Sequence, residues 1–146
     1  MAGFSFLEEN MEHIIILVGL PGSGKSTICA KYPNYVRVSQ DEQGKDGHKV
    51  VFHKAISEGK DVIIDRVNFN KDQRNRYLKV AKQAGYRTTI IRLTAKADEC
   101  INRLMNRTNH PNLNGSDPEL CKKVVNMFDG MMVEPDQTEA DEIIVV

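Results

Sequence analysis

"ILVGLPGSGKSTIC" spans residues 16–29 and sets Gly19, Gly22 and Gly24, one proline, one lysine and three hydroxyl side chains between an apolar run and the start of a helical pattern. Glycines free successive backbone N–H groups to turn toward a common point, and Lys25 adds one fixed positive charge beside them. The stretch reads as a cradle for phosphate. Gly19, Gly24, Lys25 and Ser26 satisfy GxxxxGK[ST], with Leu20, Pro21, Gly22 and Ser23 at the variable positions. In that pattern the amides from Gly22 to Thr27 surround phosphate oxygens, Lys25 reaches the β and γ phosphates, and the Ser26 hydroxyl ligates Mg²⁺.

The segments around the cradle decide the architecture. "HIIILVG", residues 13–19, is short, wholly apolar and rich in β-branched side chains, as a strand buried on both faces must be. Residues 35–39, 61–65, 88–93 and 142–146 read as four further strands. Helical patterns lie near 49–58, 71–84, 97–107 and 118–132, and another starts near Ser26. Alternation of this kind predicts an α/β three-layer sandwich with a five-stranded parallel sheet. One domain is expected over 13–146, preceded by a flexible extension over 1–12. "TNHPNLNGSDP", residues 108–118, has the Asn, Gly and Pro content of a loop between two helices, and a lid is expected over about 103–118.

Composition narrows the setting. No run of about 18 apolar residues is present, and the N-terminus lacks the features of a signal peptide, so no membrane partner and a soluble, cytoplasmic location are expected, the nucleus remaining open. Cys29, Cys100 and Cys121 are scattered and odd in number, which points to buried thiols rather than to disulfides or a structural metal. The net charge of zero hides an asymmetry. Residues 1–97 carry 16 Lys and Arg against 10 Asp and Glu, whereas residues 98–146 carry 4 against 10. The excess is densest over residues 66–87, with seven cationic side chains and one acid, either a polyanion contact or the solvated face of a helix. Overall neutrality argues against long nonspecific DNA binding. Met127, Phe128, Met131 and Met132 read as the core-facing end of the last helix.

Ligands of an open parallel sheet lie beyond the carboxyl ends of its strands. The second strand ends in "SQDE" and the third in "IIDRVN", which brings Asp41, Asp65 and Asn68 to the edge that carries the cradle. Asp41 has the chemistry to take a proton from an attacking hydroxyl or to hold a magnesium-bound water, or else to cap a helix or form a turn. Asp65 ends an apolar run, as does a carboxylate that meets a metal or its waters, or one that simply forms a turn. Arg103 and Arg107, in "INRLMNR", share one helical face, from which they can either stabilise phosphoryl charge or remain solvated. "NKDQ", residues 70–73, lacks the aspartate of a guanine reader, and no glutamate follows Asp65 to activate water. A phosphotransferase therefore fits better than a GTPase or an ATPase.

Taken in order, "GLPGSGKST", "VSQDE", "VIIDRVNFNKDQRNRYLKVAKQAG" and "CINRLMNR" resemble the kinase domain of the 5′-hydroxyl polynucleotide kinases, from residue 13 to about 110 and more loosely beyond. The resemblance implies an adenylate-kinase-like P-loop core with a helical lid. It implies ATP and Mg²⁺ as cofactors and transfer of the γ-phosphate to the 5′-OH of DNA or RNA. Carried over by position, Lys25 and Ser26 hold ATP and metal, Asp41 is the general base, Arg103 and Arg107 are lid residues with Arg107 the catalytic phosphate contact, and Asp65 and Asn68 line the acceptor side. Members often place arginine directly before the base and three residues after it, where this chain has Gln40 and Gly44; Lys45, Lys49, Arg66 or Arg74 are the candidate substitutes. "QDEQGKDG" and "RTNHPNLNG" also resemble a kinase-like module attached to aprataxin-like repair proteins. The alternatives are a kinase for a nucleoside or sugar, and a nucleotide-binding module without turnover.

Overall fold

The computed structural model describes residues 11–107 and 113–146. Five strands, β1 (His13–Val18), β2 (Val36–Val38), β3 (Val62–Ile64), β4 (Arg87–Arg92) and β5 (Glu142–Val145), form one sheet. Its order is β2-β3-β1-β4-β5, and each neighbouring pair is parallel. Among the described residues, six helices surround it: α1 (Lys25–Ala30), α2 (Gln40–Gln43), α3 (Gly47–Ser57), α4 (Lys71–Gln83), α5 (Ala97–Met105) and α6 (Pro118–Met131). The expected parallel five-stranded α/β sandwich is the fold observed. The expected extension over residues 1–12 falls almost wholly outside the described residues, as does the part of the lid loop over 108–112.

Period-two alternation in a strand buried on both faces builds two cores at once. Ile14, Ile16 and Val18 of β1 pack with Phe52 and Ala55 of α3 and Tyr77, Leu78 and Ala81 of α4. Ile15 and Leu17 face the other way, toward Cys29 of α1. All five of these β1 side chains are fully buried, each contributing roughly 1.5–3 kcal/mol relative to exposure. A third cluster joins Leu20 of the glycine-rich loop to Cys100 and Leu104 of α5 and to Cys121 and Val125 of α6. The loop is thereby packed under a helical pair rather than exposed.

Capping explains two of the helix starts. The Asn70 side chain accepts from Gln73 N at 2.9 Å ahead of α4, and Asp117 accepts from Leu120 N at 3.0 Å ahead of α6, whose first residue is proline. Two expectations need correction. Residues 40–43 form a short helix where the sequence suggested the end of a strand or a helix cap, because Gln43 folds back to accept from Ser39 N and to donate to Arg37 O. Met127 and Met131 are 47% and 42% exposed, so only Phe128 and Met132 of that group pack against the core. The buried face of α6 runs through Cys121 and Val125, which rotates Met127 and Met131 outward.

Candidate phosphotransfer site

The sheet order makes β1 the point where chain connections diverge, toward β3 and β2 on one side and toward β4 and β5 on the other. A crevice opens beyond the carboxyl end of such a strand. Here it is a cleft of about 1650 Å³, lined by the glycine-rich loop, by Ser39 to Glu42, by Asp65 to Val67 and by Arg103 and Arg107.

Backbone geometry shapes the cradle. Gly22 and Gly24 hold φ at +82° and +105°, which L side chains rarely adopt. A Cβ on Gly22 would also lie 2.6 Å from the Cys100 carbonyl oxygen, so the loop approaches α5 too closely for any side chain there. Lys25 Nζ donates to the carbonyls of Gly19 at 2.8 Å and Leu20 at 2.7 Å. Burial pulls its pKa from 10.5 to about 8, against the opposing pull of Asp65. Among the described residues, Ser23 Oγ is buried without a hydrogen-bond partner. A buried cation on neutral carbonyls and an orphaned hydroxyl both lack what a phosphate supplies. Ser26 and Thr27 are exposed at the mouth of the cleft, where the Ser26 hydroxyl is accessible to a divalent cation held by phosphates. The residues present thus fit a Mg²⁺–nucleotide ligand.

Across the cradle, Arg103 Nη1 donates to Gly22 O at 3.3 Å, while its other nitrogen lies 3.6 Å from Glu99. Arg107 is partly buried. Desolvation holds its guanidinium below the ordinary arginine range, Asp41 being the leading charge that opposes the shift, with a smaller pull from Asp65. The same two carboxylates act on Lys25, which brings Lys25, Arg107, Asp41 and Asp65 into one electrostatic group. Asp41 itself stands in the first turn of α2, exposed on the cleft wall.

Asp65 is already engaged. Arg37 Nε donates to its Oδ2 at 2.9 Å, Arg37 Nη2 bonds the same oxygen, and Arg37 Nη1 meets Glu42 at 2.6 Å. Sequence reasoning missed Arg37, whose only signal is a cation inside an otherwise apolar strand. Arg66 Nη1 donates to Tyr77 Oη at 2.8 Å and Nη2 to Gln40 Oε1 at 2.9 Å, so the residue before Asp41 is held by a guanidinium from β3's end.

Two candidate acceptor residues are not at the cleft surface. Asn68 is fully buried with φ +53°; its amide donates to Leu17 O at 2.7 Å and so ties the loop after β3 to β1. Arg74 is also fully buried. It makes a two-pronged ion pair with Glu139 at 2.8 and 3.2 Å and donates to the carbonyls of Asn68 and Val133. Arg74 therefore shares the core face of α4 with Tyr77, Leu78 and Ala81, and its charge is consumed inside the protein. Lys45 and Lys49 are exposed and do not line the cleft.

Residues 44–127 match the model of a protein family described as AAA domain (AAA_33). The chain belongs to that family. This AAA domain is 35% identical over 114 residues to transcription factor bHLH140 of Arabidopsis thaliana, covering 70% of this chain and 12% of that protein. It is 30% identical over 132 residues to a protein of Acanthamoeba polyphaga mimivirus provisionally named a bifunctional polynucleotide phosphatase/kinase, covering 88% of this chain and 31% of that one. The chain thus spans less than a third of the length of either relative. Among solved structures, a protein of Chloroflexus aurantiacus provisionally named a kinase superposes with a TM-score of 0.68 at 18% identity, over 94% of this chain and 88% of the other. Kti12 of Chaetomium thermophilum, in complex with ADP-AlF3, superposes at 0.62 and 15% identity, over 91% and 88%. The AAA domain therefore has the fold of the P-loop kinases. No helix among its described residues is long and apolar enough to cross a membrane.

Proposed function

We propose that this domain transfers the γ-phosphate of ATP to a 5′-hydroxyl at the end of a nucleic acid. The observation that carries the reading is the sharing of one cleft by the glycine-rich cradle, the carboxylate of Asp41 and the two arginines of the α5 region. The similarity to the mimivirus protein supports a polynucleotide as acceptor.

Amides of the Gly22–Thr27 turn and Lys25 bind the β and γ phosphates, and Ser26 Oγ would hold Mg²⁺, which when bound neutralises phosphate charge. Lys25 leaves its carbonyl partners for the phosphates and thereby regains a full counter-charge. Asp41 accepts the proton of the acceptor hydroxyl. The hydroxyl oxygen then forms its bond to the γ-phosphorus, and the bond from that phosphorus to the β,γ-bridging oxygen breaks, releasing ADP. Arg103 and Arg107 close over the phosphates and meet the negative charge in transit. Asp65, fixed by Arg37, stands behind Lys25 and steadies its charge. Arg66 orients α2 through Gln40 and lines the cleft on the acceptor side.

The test is transfer of γ-labelled phosphate from ATP to a 5′-OH oligonucleotide. The wild type is expected to label it, Lys25→Ala to lose both labelling and ATP-induced thermal stabilisation, and Asp41→Asn to keep stabilisation while labelling falls by roughly 10²–10⁴-fold. Full activity of Asp41→Asn would sink the base assignment. The net charge of zero favours a second reading, a kinase for a nucleoside or sugar, and labelling of those acceptors in preference to the oligonucleotide would establish it. Stabilisation by ATP with no acceptor consumed would instead mark a nucleotide-binding module.

A further inference from the structure

The rings of Phe69 and Phe128 lie 5.5 Å apart at a tilt of 46°, both half-buried and both on the wall of the same cleft. Phe128 packs against the cluster beneath α5 and α6, whereas Phe69 belongs to none of the three cores. Apolar side chains of α6, Leu120 and Val124, extend the wall, and the amide of Gln73 edges it. The backbone below Phe69 is clamped from two directions: Arg74 Nη1 donates to Asn68 O at 2.9 Å, and Val133 N donates to Phe69 O at 2.7 Å. A half-exposed aromatic pair on a fixed backbone is a preorganised π surface.

Position and charge say what it takes. Phe69 follows β3, on the Asp65 side of the cradle, while Leu93, Thr94 and Val146 line the cleft on the β4–β5 side. Three residues before Phe69, the Arg66 guanidinium bonds two neutral partners, the Tyr77 hydroxyl and the Gln40 amide oxygen, neither of which cancels its charge. Aromatic faces beside unneutralised cations are how proteins hold single-stranded nucleic acid. The geometry points to Phe69 and Phe128 as a stacking platform for the nucleobase of the acceptor's 5′-terminal nucleotide, a subsite that rests on the reading of the cleft as the site of a 5′-hydroxyl end. The acceptor is then a nucleotide unit, with its base on the phenylalanines, rather than a sugar recognised by hydroxyls alone.

Equilibrium binding tests this without turnover, using a 5′-OH oligodeoxynucleotide with 2-aminopurine as its first base and the same oligonucleotide abasic at that residue. Stacking quenches 2-aminopurine in the wild type and in Phe69→Tyr. Phe69→Leu, which keeps apolar packing against Phe128, loses the quench and raises the oligonucleotide Kd by roughly tenfold, with the ATP Kd unchanged. The abasic oligonucleotide binds the wild type as weakly as the intact one binds Phe69→Leu. Wild-type affinity and quench in Phe69→Leu overturn the platform, and so does an equal loss on the abasic oligonucleotide or on ATP. Quenching without any phosphate transfer sustains the platform and overturns the reaction; transfer without quenching does the reverse.

Discussion

The two halves of the cleft are built by different means. On the donor side, consecutive residues do nearly everything: Gly22 and Gly24 turn the backbone, Lys25 and Ser26 follow at once, and α5 closes from above. On the side proposed for the acceptor, contacts join residues far apart in the chain, Arg37 to Asp65 and Arg66 to Gln40 in the cleft wall and Arg74 to Glu139 inside the protein. A local motif tolerates changes elsewhere, while a long-range network fails when any one member is removed.

Arg74 should show that contrast most strongly. Arg74→Met leaves the buried carboxylate of Glu139 without its partner, at a cost of about 3–5 kcal/mol in urea unfolding. Replacing Glu139 by Leu in the same chain should recover part of it, because the uncompensated charge is gone. Additive losses in the double variant would show that the pair is not coupled.

On the donor side, Gly22→Ala forces a side chain into left-handed backbone and against the Cys100 carbonyl. The backbone strain alone is about 1–2 kcal/mol, and the shift of the loop should weaken ATP binding while leaving acceptor affinity intact. A calorimetric titration with ATP decides it; an unchanged ATP Kd would mean that the cradle does not need its observed shape.

The pH response sharpens the comparison further, since it concerns only the donor side. Lys25 titrates at about 8 in the free protein, and phosphate raises that value by restoring a counter-charge. Well below pH 8, at about pH 6 to 7, the lysine is already protonated and ATP affinity should be flat with respect to it. Above pH 8 binding requires uptake of a proton, so affinity falls by up to about tenfold per pH unit. Titrations in buffers of different ionisation enthalpy should report that uptake, and proton release or no exchange near pH 9 would refute it.

The smallest effect belongs outside both halves. Met127 is 47% exposed, and Met127→Lys should change stability by less than about 0.5 kcal/mol in the same unfolding assay. A larger loss would mean that α6 packs by a face other than the one through Cys121 and Val125.

The donor side was legible because its information is contiguous. Gly19 to Thr27 carry spacing, charge and hydroxyl in one run, and the alternation of apolar strands with amphipathic helices leads to the parallel sheet around them. The acceptor side was only partly so. Asp41, Asp65 and Arg66 reach the cleft as strand-end positions should, but Asn68 and Arg74 turn inward. One signal for Arg74 was available. It falls in register with Tyr77, Leu78 and Ala81 on the core face of α4, where a cation requires a buried partner. Its partner, Glu139, lies 65 residues on in a segment without regular pattern, which periodicity does not connect.

What the sequence by itself determined is the cradle, the parallel α/β order and the edge of the sheet at which chemistry is possible, because each depends on spacing along the chain. Tertiary structure alone decided which cations face the cleft and which are spent inside, that α2 exists to carry Asp41, and that Phe69 meets Phe128. Those outcomes depend on which distant groups come within a few ångströms of one another, and a buried charge or an aromatic ring takes its role from the partner it finds there.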